Sequence, residues 1–524
     1  MRWRILLLGG LAGALVALSI PPFGFWPLGW LGLAVLAYPL PATTWRQRAG
    51  LGIAFGLVDY IIGLLWVQEF SVPGFIGVVL ISTIYAALAV AIVPSRHRIG
   101  IAVGLPSALV LSDWARDRFP VGGLPLSGIS LGQASGPLAP VLRLGGSLAL
   151  TAETALVGVA LAEVVRLVID RLRPSGPAPA PDPGAMPTSG STVPAAQPTG
   201  RAAGLPAAAL VAAVLLPVVA FVSPSGAGGH IAPLRIGLVQ GGGPRGTRAI
   251  ASDPQLVFLR HQTASRMLTG PLDLIVWPEG IVPDYAPYLS YDDDQAMASL
   301  ATADQATVLA GVEKDLSATK AINEVQAWGP AGNIVGTYVK NHLVPFGEYV
   351  PYRSFFEKFV DLKDVPYDAV PGHQPGFLRT PAGPLAIMIS YEVFFDERAR
   401  GGVRAGGQVL VVPTNTASYR STQVPTQEVA ADRMRAWETG RWLVQVTPTG
   451  YSTVVSPTGQ VEHKTYLDRQ QVIEATVPMR TGYTIYDHIG DLSVMLLALA
   501  AWLAVAGLSR SKEREETEPV SVPA

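Results

Sequence analysis

Three short stretches carry side chains able to do covalent chemistry. Trp277-Pro278-Glu279 closes the apolar run Leu272-Asp273-Leu274-Ile275-Val276. A carboxylate at a strand end beside an apolar ring is placed to have a raised pKa and act as a base. Taken alone, such a glutamate is more often a helix-terminal or surface-turn carboxylate. Tyr338-Val339-Lys340-Asn341-His342 ends a second run and continues into Leu343-Val344-Pro345-Phe346-Gly347-Glu348-Tyr349-Val350-Pro351. The chain has seven lysines against 31 arginines, all seven at or after Lys314, so a lysine at a strand end stands out. A fixed ammonium there can stabilise a developing oxyanion; in isolation a solvated surface lysine is commoner. Ile387-Met388-Ile389-Ser390-Tyr391-Glu392 puts a hydroxyl at the end of a buried run, as a nucleophile or as the commoner turn serine. Each group is weak alone. The order Glu279, Lys340, Ser390, with separations of 61 and 50 residues, is specific.

The elements that must position these groups read as α/β. Short β-branched runs occur at Leu234–Gln240, Leu272–Trp277, Ala306–Val312, Ala386–Val393, Val409–Pro413, Trp442–Thr447 and Thr453–Ser456, with helix-like stretches at Pro254–Leu268 and Thr426–Arg441. The alternation predicts a layered α/β domain over residues 230–488, with ligands at the carboxyl ends of its strands. There is no cysteine, which excludes disulfides, thiolate metal sites and a cysteine nucleophile.

The rest of the chain reads as membrane. Charged residues make up 15% of the 524, where soluble domains have roughly 25%. A net charge of -1 gives no basis for nucleic-acid binding. Apolar segments near 5–20, 28–40, 50–68, 73–93, 99–114, 143–169, 206–223 and 491–508 approach the about 20 residues a bilayer requires. The expected organisation is helices one to six over 1–173, a disordered Pro/Ala-rich cytoplasmic linker over 174–205, a seventh span at 206–223, the globular domain, an eighth span at 491–508 and a cytoplasmic tail over 509–524. Arg2 and Arg4, Arg46 and Arg48, Arg96 and Arg98, Arg171, Arg173 and Arg201, and Arg510, Lys512 and Arg514 all fall on one side of that topology. Cytoplasmic loops collect Lys and Arg, which places the globular domain outside the cytoplasm. Arg116 and Arg118 run against the bias, offset by Asp113 and Asp117. Asp59, inside the third segment, reads equally as a functional group or as an interhelical hydrogen-bond partner.

Residues 338–351 resemble the loop after the catalytic lysine of bacterial apolipoprotein N-acyltransferases, a membrane branch of the nitrilase (carbon–nitrogen hydrolase) superfamily. Val239-Gln240-Gly241, Asn323, Thr414-Asn415, the Arg435–Arg441 stretch containing Glu438, Thr449-Gly450-Tyr451-Ser452, Pro22-Phe23-Gly24, Gly132-Gln133 and Gly490-Asp491 are similar to that family too. The resemblance implies a multi-span helical membrane domain of about eight transmembrane helices joined to a nitrilase-type αββα sandwich. It implies Glu279 as general base, Lys340 as oxyanion stabiliser, Glu348 as a second, orienting acid, Tyr391 and Glu392 as supports of the nucleophile loop, and Asn415 as a further support. The acyl donor would be a membrane phospholipid and the acceptor the N-terminal amine of a diacylglyceryl-cysteine apolipoprotein. No cofactor or metal is called for, and the setting would be the bacterial cytoplasmic membrane. In some actinobacterial relatives such a domain is linked to a polyprenol-phosphate mannose synthase, which makes that enzyme an expected partner.

The sequence departs from the family where its chemistry lies. The family nucleophile is cysteine; here the position holds Ser390, a far weaker acid whose ester an amine attacks more slowly. Gly280 follows the glutamate where the family has Thr or Ser, the family's Thr-Asn-Asp-x-Trp-Phe is Thr414-Asn415-Thr416-Ala417-Ser418-Tyr419, and its Asn-Thr-Gly is Pro448-Thr449-Gly450. Three explanations stand: a serine nucleophile natural to a subfamily, an engineered Cys→Ser change, or a catalytically dead domain; the accompanying departures favour a divergent branch. Two other readings stand beside the transferase: a membrane-bound amidase or nitrilase-like hydrolase, and an inactive scaffold that holds a partner.

Overall fold

The computed structural model describes residues 2–172, 204–229, 231–246, 252–285, 291–358, 365 and 367–517. Residues 174–203 of the expected linker lie outside that set. The N-terminal region is helical: α1 (Arg2–Ser19), α2 (Trp26–Ala37), α3 (Trp45–Gly63), α4 (Val72–Ala91), α5 (Arg98–Arg116) and α6 (Leu142–Leu172), followed by α7 (Gly204–Val222). Two of these regions, Val72–Ala91 and Ala139–Leu172, are long and apolar enough to cross a bilayer, as is Ile485–Ser509 near the C-terminus. Trp3–Ser19 and Val211–Val222 are apolar but shorter. The protein is therefore a membrane protein with several apolar helices. The other expected segments are helical but lack those attributes: α2 has 12 residues, α3 carries Arg46, Arg48 and Asp59, and α5 carries Pro106, Asp113 and Arg116.

Small residues set how closely the helices pack. Gly9 and Gly13 of α1 face the carbonyl oxygens of Leu51 and Phe55 on α3; a Cβ on Gly9 would lie 2.5 Å from the first, and one on Gly13 would overlap the second. This is the small-xxx-small contact that lets membrane helices approach backbone to backbone. α6 breaks at Gly145-Gly146, where Gly146 adopts φ 64°.

The second region holds strands β1 (Pro233–Gln240), β2 (Leu274–Val276), β3 (Val282–Asp284), β4 (Thr307–Ser317), β5 (Lys320–Trp328), β6 (Ile334–Val339), β7 (Asp368–Ala369), β8 (Phe377–Thr380), β9 (Gly383–Ile387), β10 (Val409–Pro413), β11 (Leu443–Val446), β12 (Thr453–Val455), β13 (Val461–Lys464) and β14 (Gln471–Pro478). Helices α8 (Pro254–Ser265), α9 (Tyr291–Asp304), α10 (Asp396–Arg404) and α11 (Gln423–Thr439) intervene, and α12 (Ile485–Thr517) ends the chain. One sheet runs β14-β1-β2-β4-β5-β6, with β3 on β4 and β7 on β5; the other runs β13-β12-β11-β10-β9-β8. β1, β2 and β4 are mutually parallel, as are β9, β10 and β11.

Period-two alternation assigns the faces. Leu234, Ile236, Leu238, Leu274, Val276 and Leu309 meet Ile387, Val409, Val411, Val444 and Val446 of the other sheet in one core. The opposite face of the first sheet (Val239, Ile275, Val308, Ala310) packs on Phe258, Ala264 and Met297 of α8 and α9. The outer face of the second (Ala386, Met388, Leu410, Val412) packs on Val403, Ala430 and Met434 of α10 and α11. The result is an αββα sandwich. The last of these cores also takes in Leu142, Leu150 and Val157 of α6, so the two regions share buried apolar surface.

Expected strands differ in extent: Leu272–Trp277 narrows to Leu274–Val276, and Ala306–Val312 runs on to Ser317. Ala386–Val393 stops at Ile387, and Ser390–Phe394 form a 3₁₀ turn. The Glu392 carboxylate accepts the Ile389 amide at 2.8 Å, a local bond that replaces the sheet ladder. Gly13→Leu should separate α1 from α3. Overpacking of this kind costs about 1–3 kcal/mol, so a lower unfolding midpoint in detergent, with less folded protein recovered, is the expected outcome.

Candidate active site

Two strand ends of the first sheet, those of β2 and β6, converge beside β4 and β5. Trp277, 1% exposed, leaves β2 with its amide on the Leu309 carbonyl (2.8 Å) and its ring nitrogen on Ser265 Oγ (3.0 Å). The next turn is gripped by β4: the Gly311 amide donates to the Pro278 carbonyl, and the Ile281 amide donates to Gly311, both at 3.0 Å. A Cβ on Gly311 would sit 2.5 Å from Glu279 Cα, so this approach requires glycine. Lys340, just past β6, donates its amide to the Asn323 carbonyl of β5 (2.9 Å) and accepts from the Gly372 amide (2.8 Å).

These frames bring the side chains together. Lys340 Nζ donates to Glu279 Oε1 at 2.7 Å and to Glu348 Oε1 at 2.9 Å. Asn323 Nδ2 donates to the same two oxygens at 2.7 and 2.8 Å. Glu348 is fixed by the Val344 amide on its Oε2 (2.7 Å). Lys340 is 1% exposed. Burial opposes its charge, but Glu279 and Glu348 outweigh that and hold its pKa above the ordinary lysine range. Burial also pushes the Glu279 carboxyl up, with Lys340 opposing and Glu348 adding to the shift.

Ser390 comes from the other sheet. It lies 8% exposed at the end of β9 with φ 50°, a left-handed conformation uncommon for a residue with a side chain. Glu392, fully buried, ties its turn to the lysine loop. Oε1 accepts the Asn341 amide (2.8 Å), the His342 amide (3.2 Å) and the Tyr338 hydroxyl (2.9 Å), while Oε2 holds Ile389. Arg398 donates to the Tyr338 oxygen at 2.6 Å. Tyr391 leaves the cluster: its hydroxyl donates to the Gly123 carbonyl of the helical region at 3.1 Å, and Tyr349 does the same to Val121 at 3.0 Å. Asn415 lies at the rim, its Oδ1 accepting the Ala417 amide (3.0 Å) and its Nδ2 3.5 Å from the Glu279 carbonyl. Trp66 and Tyr419 meet edge to face at 5.1 Å. In the segment that follows Lys340, Tyr352 and Phe355 are exposed; the Phe356 side chain lies outside the described set.

Two carboxylates escape sequence reasoning. Glu313 pairs with Asn323 across β4 and β5, and burial, then Glu279 and Glu348, push its pKa up to about 7. A Cβ at Gly280 (φ 65°) would lie 2.7 Å from its carboxylate, which accounts for glycine there. Glu428 on α11 accepts the Thr414 hydroxyl at 2.9 Å and is buried. The run Glu428, Asp432, Arg435, Thr439 repeats every three or four residues, the one signal that a polar face of this helix turns inward.

Burial moves the Glu428 pKa from 4.5 to about 8, only partly opposed by the Thr414 hydrogen bond. Between those values the folded state binds a proton the unfolded state releases, so stability falls as pH rises through that window. Glu428→Gln keeps the acceptor and removes the ionisation. It should raise the free energy of unfolding at pH 9, by on the order of a few kcal/mol, and change little at pH 5; equal shifts at both pH values would contradict the assignment.

Comparison with known proteins covers both regions. Residues 12–160 match the family described as apolipoprotein N-acyltransferase N-terminal domain, and residues 235–486 match carbon-nitrogen hydrolase. The apolipoprotein N-acyltransferase of Geobacter metallireducens is 28% identical over 96% of this chain and 94% of its own length. That of Mycolicibacterium smegmatis is 28% identical over 96% of this chain and 85% of its own. An amidase from Nesterenkonia sp. covers 49% of this chain and 95% of its own at 21% identity, with a TM-score of 0.37. The two matched regions follow one another in this single cysteine-free chain, which belongs to the apolipoprotein N-acyltransferase family of the carbon–nitrogen hydrolase superfamily.

Proposed function

We propose that this protein transfers a fatty acyl chain from a membrane phospholipid to the N-terminal amine of a diacylglyceryl-cysteine apolipoprotein, with Ser390 as nucleophile. The observation that carries this reading is the buried Lys340 ammonium, held between Glu279 and Glu348 and tied through Glu392 to the Ser390 turn. Ser390 Oγ attacks the donor's ester carbonyl as Glu279 takes its proton. Lys340 faces the negative charge that develops on the carbonyl oxygen. Collapse breaks the ester C–O bond, Glu279 returns the proton to the departing lysophospholipid, and an acyl ester remains on Ser390. The acceptor amine then attacks that ester, Glu279 takes the amine proton and passes it to Ser390 Oγ, and the amide product leaves. These steps require no cofactor or metal.

The membrane setting fits this reading. Both substrates are lipids, and each methylene moved into water would cost about 0.8 kcal/mol. We read α1 to α7 and α12 as eight spans, with the sandwich on the extracytoplasmic side of the bacterial cytoplasmic membrane. The exposed Tyr352 and Phe355 would gate entry from the bilayer. The names of the relatives support acyl transfer to nitrogen on an apolipoprotein; they carry no support for a polyprenol-phosphate mannose synthase partner.

The test incubates purified protein with phospholipid and a diacylglyceryl lipopeptide and weighs both protein and peptide by mass spectrometry. An acyl mass added to the peptide, absent with Ser390→Ala, is expected; Ser390→Cys should react at least as fast. Free fatty acid without acylated peptide would mark a hydrolase. Acylation by Ser390→Cys alone would mark the natural serine form as inactive. Silence from both would remove the transferase reading and leave the scaffold.

A further inference from the structure

The mechanism leaves one buried ionic cluster unused, directly behind the Ser390 turn. Arg435 of α11 is 1% exposed, and its Nη1 donates to the Val393 carbonyl inside the turn at 3.3 Å. A guanidinium buried to that degree must be neutralised. Its partners are Asp396 (Nη2 to Oδ1, 2.6 Å), Glu438 (Nε to Oε2, 2.7 Å) and the Ser147 hydroxyl (Nη2 to Oγ, 2.9 Å).

Ser147 belongs to the helical region. It is the first residue after the Gly145-Gly146 break in α6, so its amide is one of the unpaired donors of a new helix start. Asp396, two residues after the turn, accepts that amide at 2.9 Å and the Ser147 hydroxyl at 2.8 Å. A carboxylate is favoured there by the exposed helix N–H groups. The break cannot be straightened by a larger residue. Gly146 has φ 64°, and a Cβ on it would lie 2.7 Å from the Tyr486 ring and 3.0 Å from Asp396 Oδ2. α12 is broken at the same junction, at Gly490 (φ 63°). There Arg400 of α10 donates to the carbonyls of Tyr486 (3.2 Å) and Asp487 (3.0 Å), and Asp491 accepts from Tyr486 (2.7 Å) and Arg118 (3.0 Å).

A left-handed non-glycine residue persists only where its surroundings over-determine it. Glu392 restrains the Ser390 turn from the lysine side; Arg435 restrains it from behind. We propose that Arg435 is a positioning residue that sets the pose of the Ser390–Phe394 turn, and that the glycine break of α6 sets the pose of Arg435 through Ser147 and Asp396. The helical region is then part of the scaffold of the reactive side chain as well as an anchor. This rests on Ser390 occupying the nucleophile position, as proposed above.

The absence of any cysteine supplies the test. In full-length Ser390→Cys protein the introduced thiol is the sole one, and its alkylation by iodoacetamide is followed against pH. At the nucleophile position proposed above, where the Lys340 charge would favour a thiolate, it should ionise below the about 8.5 of a free thiol. Adding Arg435→Lys should slow alkylation at neutral pH on the order of tenfold, since misplacements of about 1 Å disarm positioned groups, and should move the pH midpoint toward that of a free thiol. Ser147→Ala, which removes one hydroxyl and little else, should give the same displacement in smaller measure. The double variant should fall short of the product of the two effects, because both act through one clamp. Unfolding midpoints identify which variants are folded. An activated parent thiol with rate and midpoint unchanged in folded Arg435→Lys overturns the inference; if that variant does not fold, an unchanged profile in Ser147→Ala overturns it. A parent thiol that behaves like a free one overturns the placement of Ser390 and this inference together.

Discussion

The ammonium of Lys340 constrains the sandwich more than any other group. A charge buried to this extent is tolerated only with partners in place, and removing one partner of such a pair typically costs about 3–5 kcal/mol. Its partners come from separate places, Glu279 after β2 and Glu348 from the loop after β6, and Asn323 of β5 donates to both carboxylates. The order β2-β4-β5-β6 places those elements side by side. Gly311 lets the Glu279 turn lie directly on β4, so even the backbone of that strand is shaped by the need to deliver the carboxylate. Glu313 and Glu428 are buried nearby, and burial first, with the Glu279 charge adding to it, makes both hold their protons more tightly.

The second sheet enters through one side chain. Glu392 gathers donors from Tyr338, Asn341, His342 and Ile389 and so spans both halves of the sandwich at the level of the site. α11 continues the chain of support outward. Gln423 and Gln427 donate to the carbonyl of Gly63 at the end of α3, Glu428 holds Thr414, and Arg435 reaches α6. A helix buried on nearly every side is expected to be apolar all round. Here its polar residues are paired internally.

Much of this was legible in the sequence for identifiable reasons. Glu279, Lys340 and Ser390 each follow an apolar run, and strand ends are where a layered α/β domain collects function. β1, β10 and β11 show because both faces are buried and their runs are continuous. The turn at Ser390 was hidden: Ile389 and Val393 are apolar enough to extend the strand, and only the Glu392 side chain, folding back on the Ile389 amide, ends it. β13 and β14 were missed because exposed charges such as Glu462, Lys464 and Glu474 interrupt their pattern. Glu313 and Glu428 were missed because a single carboxylate near β-branched or helical neighbours says nothing about where it points.

The break at Gly490 also bears on how the molecule is made. Synthesis runs from the N-terminus, so α12 emerges after the helices and strands described before it. Yet Tyr486 packs against Gly146, Thr484 donates to the Glu438 carbonyl at 2.5 Å, and Asp491 pairs with Arg118. β1 likewise waits for β14, its antiparallel neighbour from the far end of the domain. The junction behind the serine turn therefore closes only after the segment around Gly490 has been made. Until then the growing polypeptide carries the Ser390 turn without that brace, an order of assembly set by where along the chain the contacting residues lie.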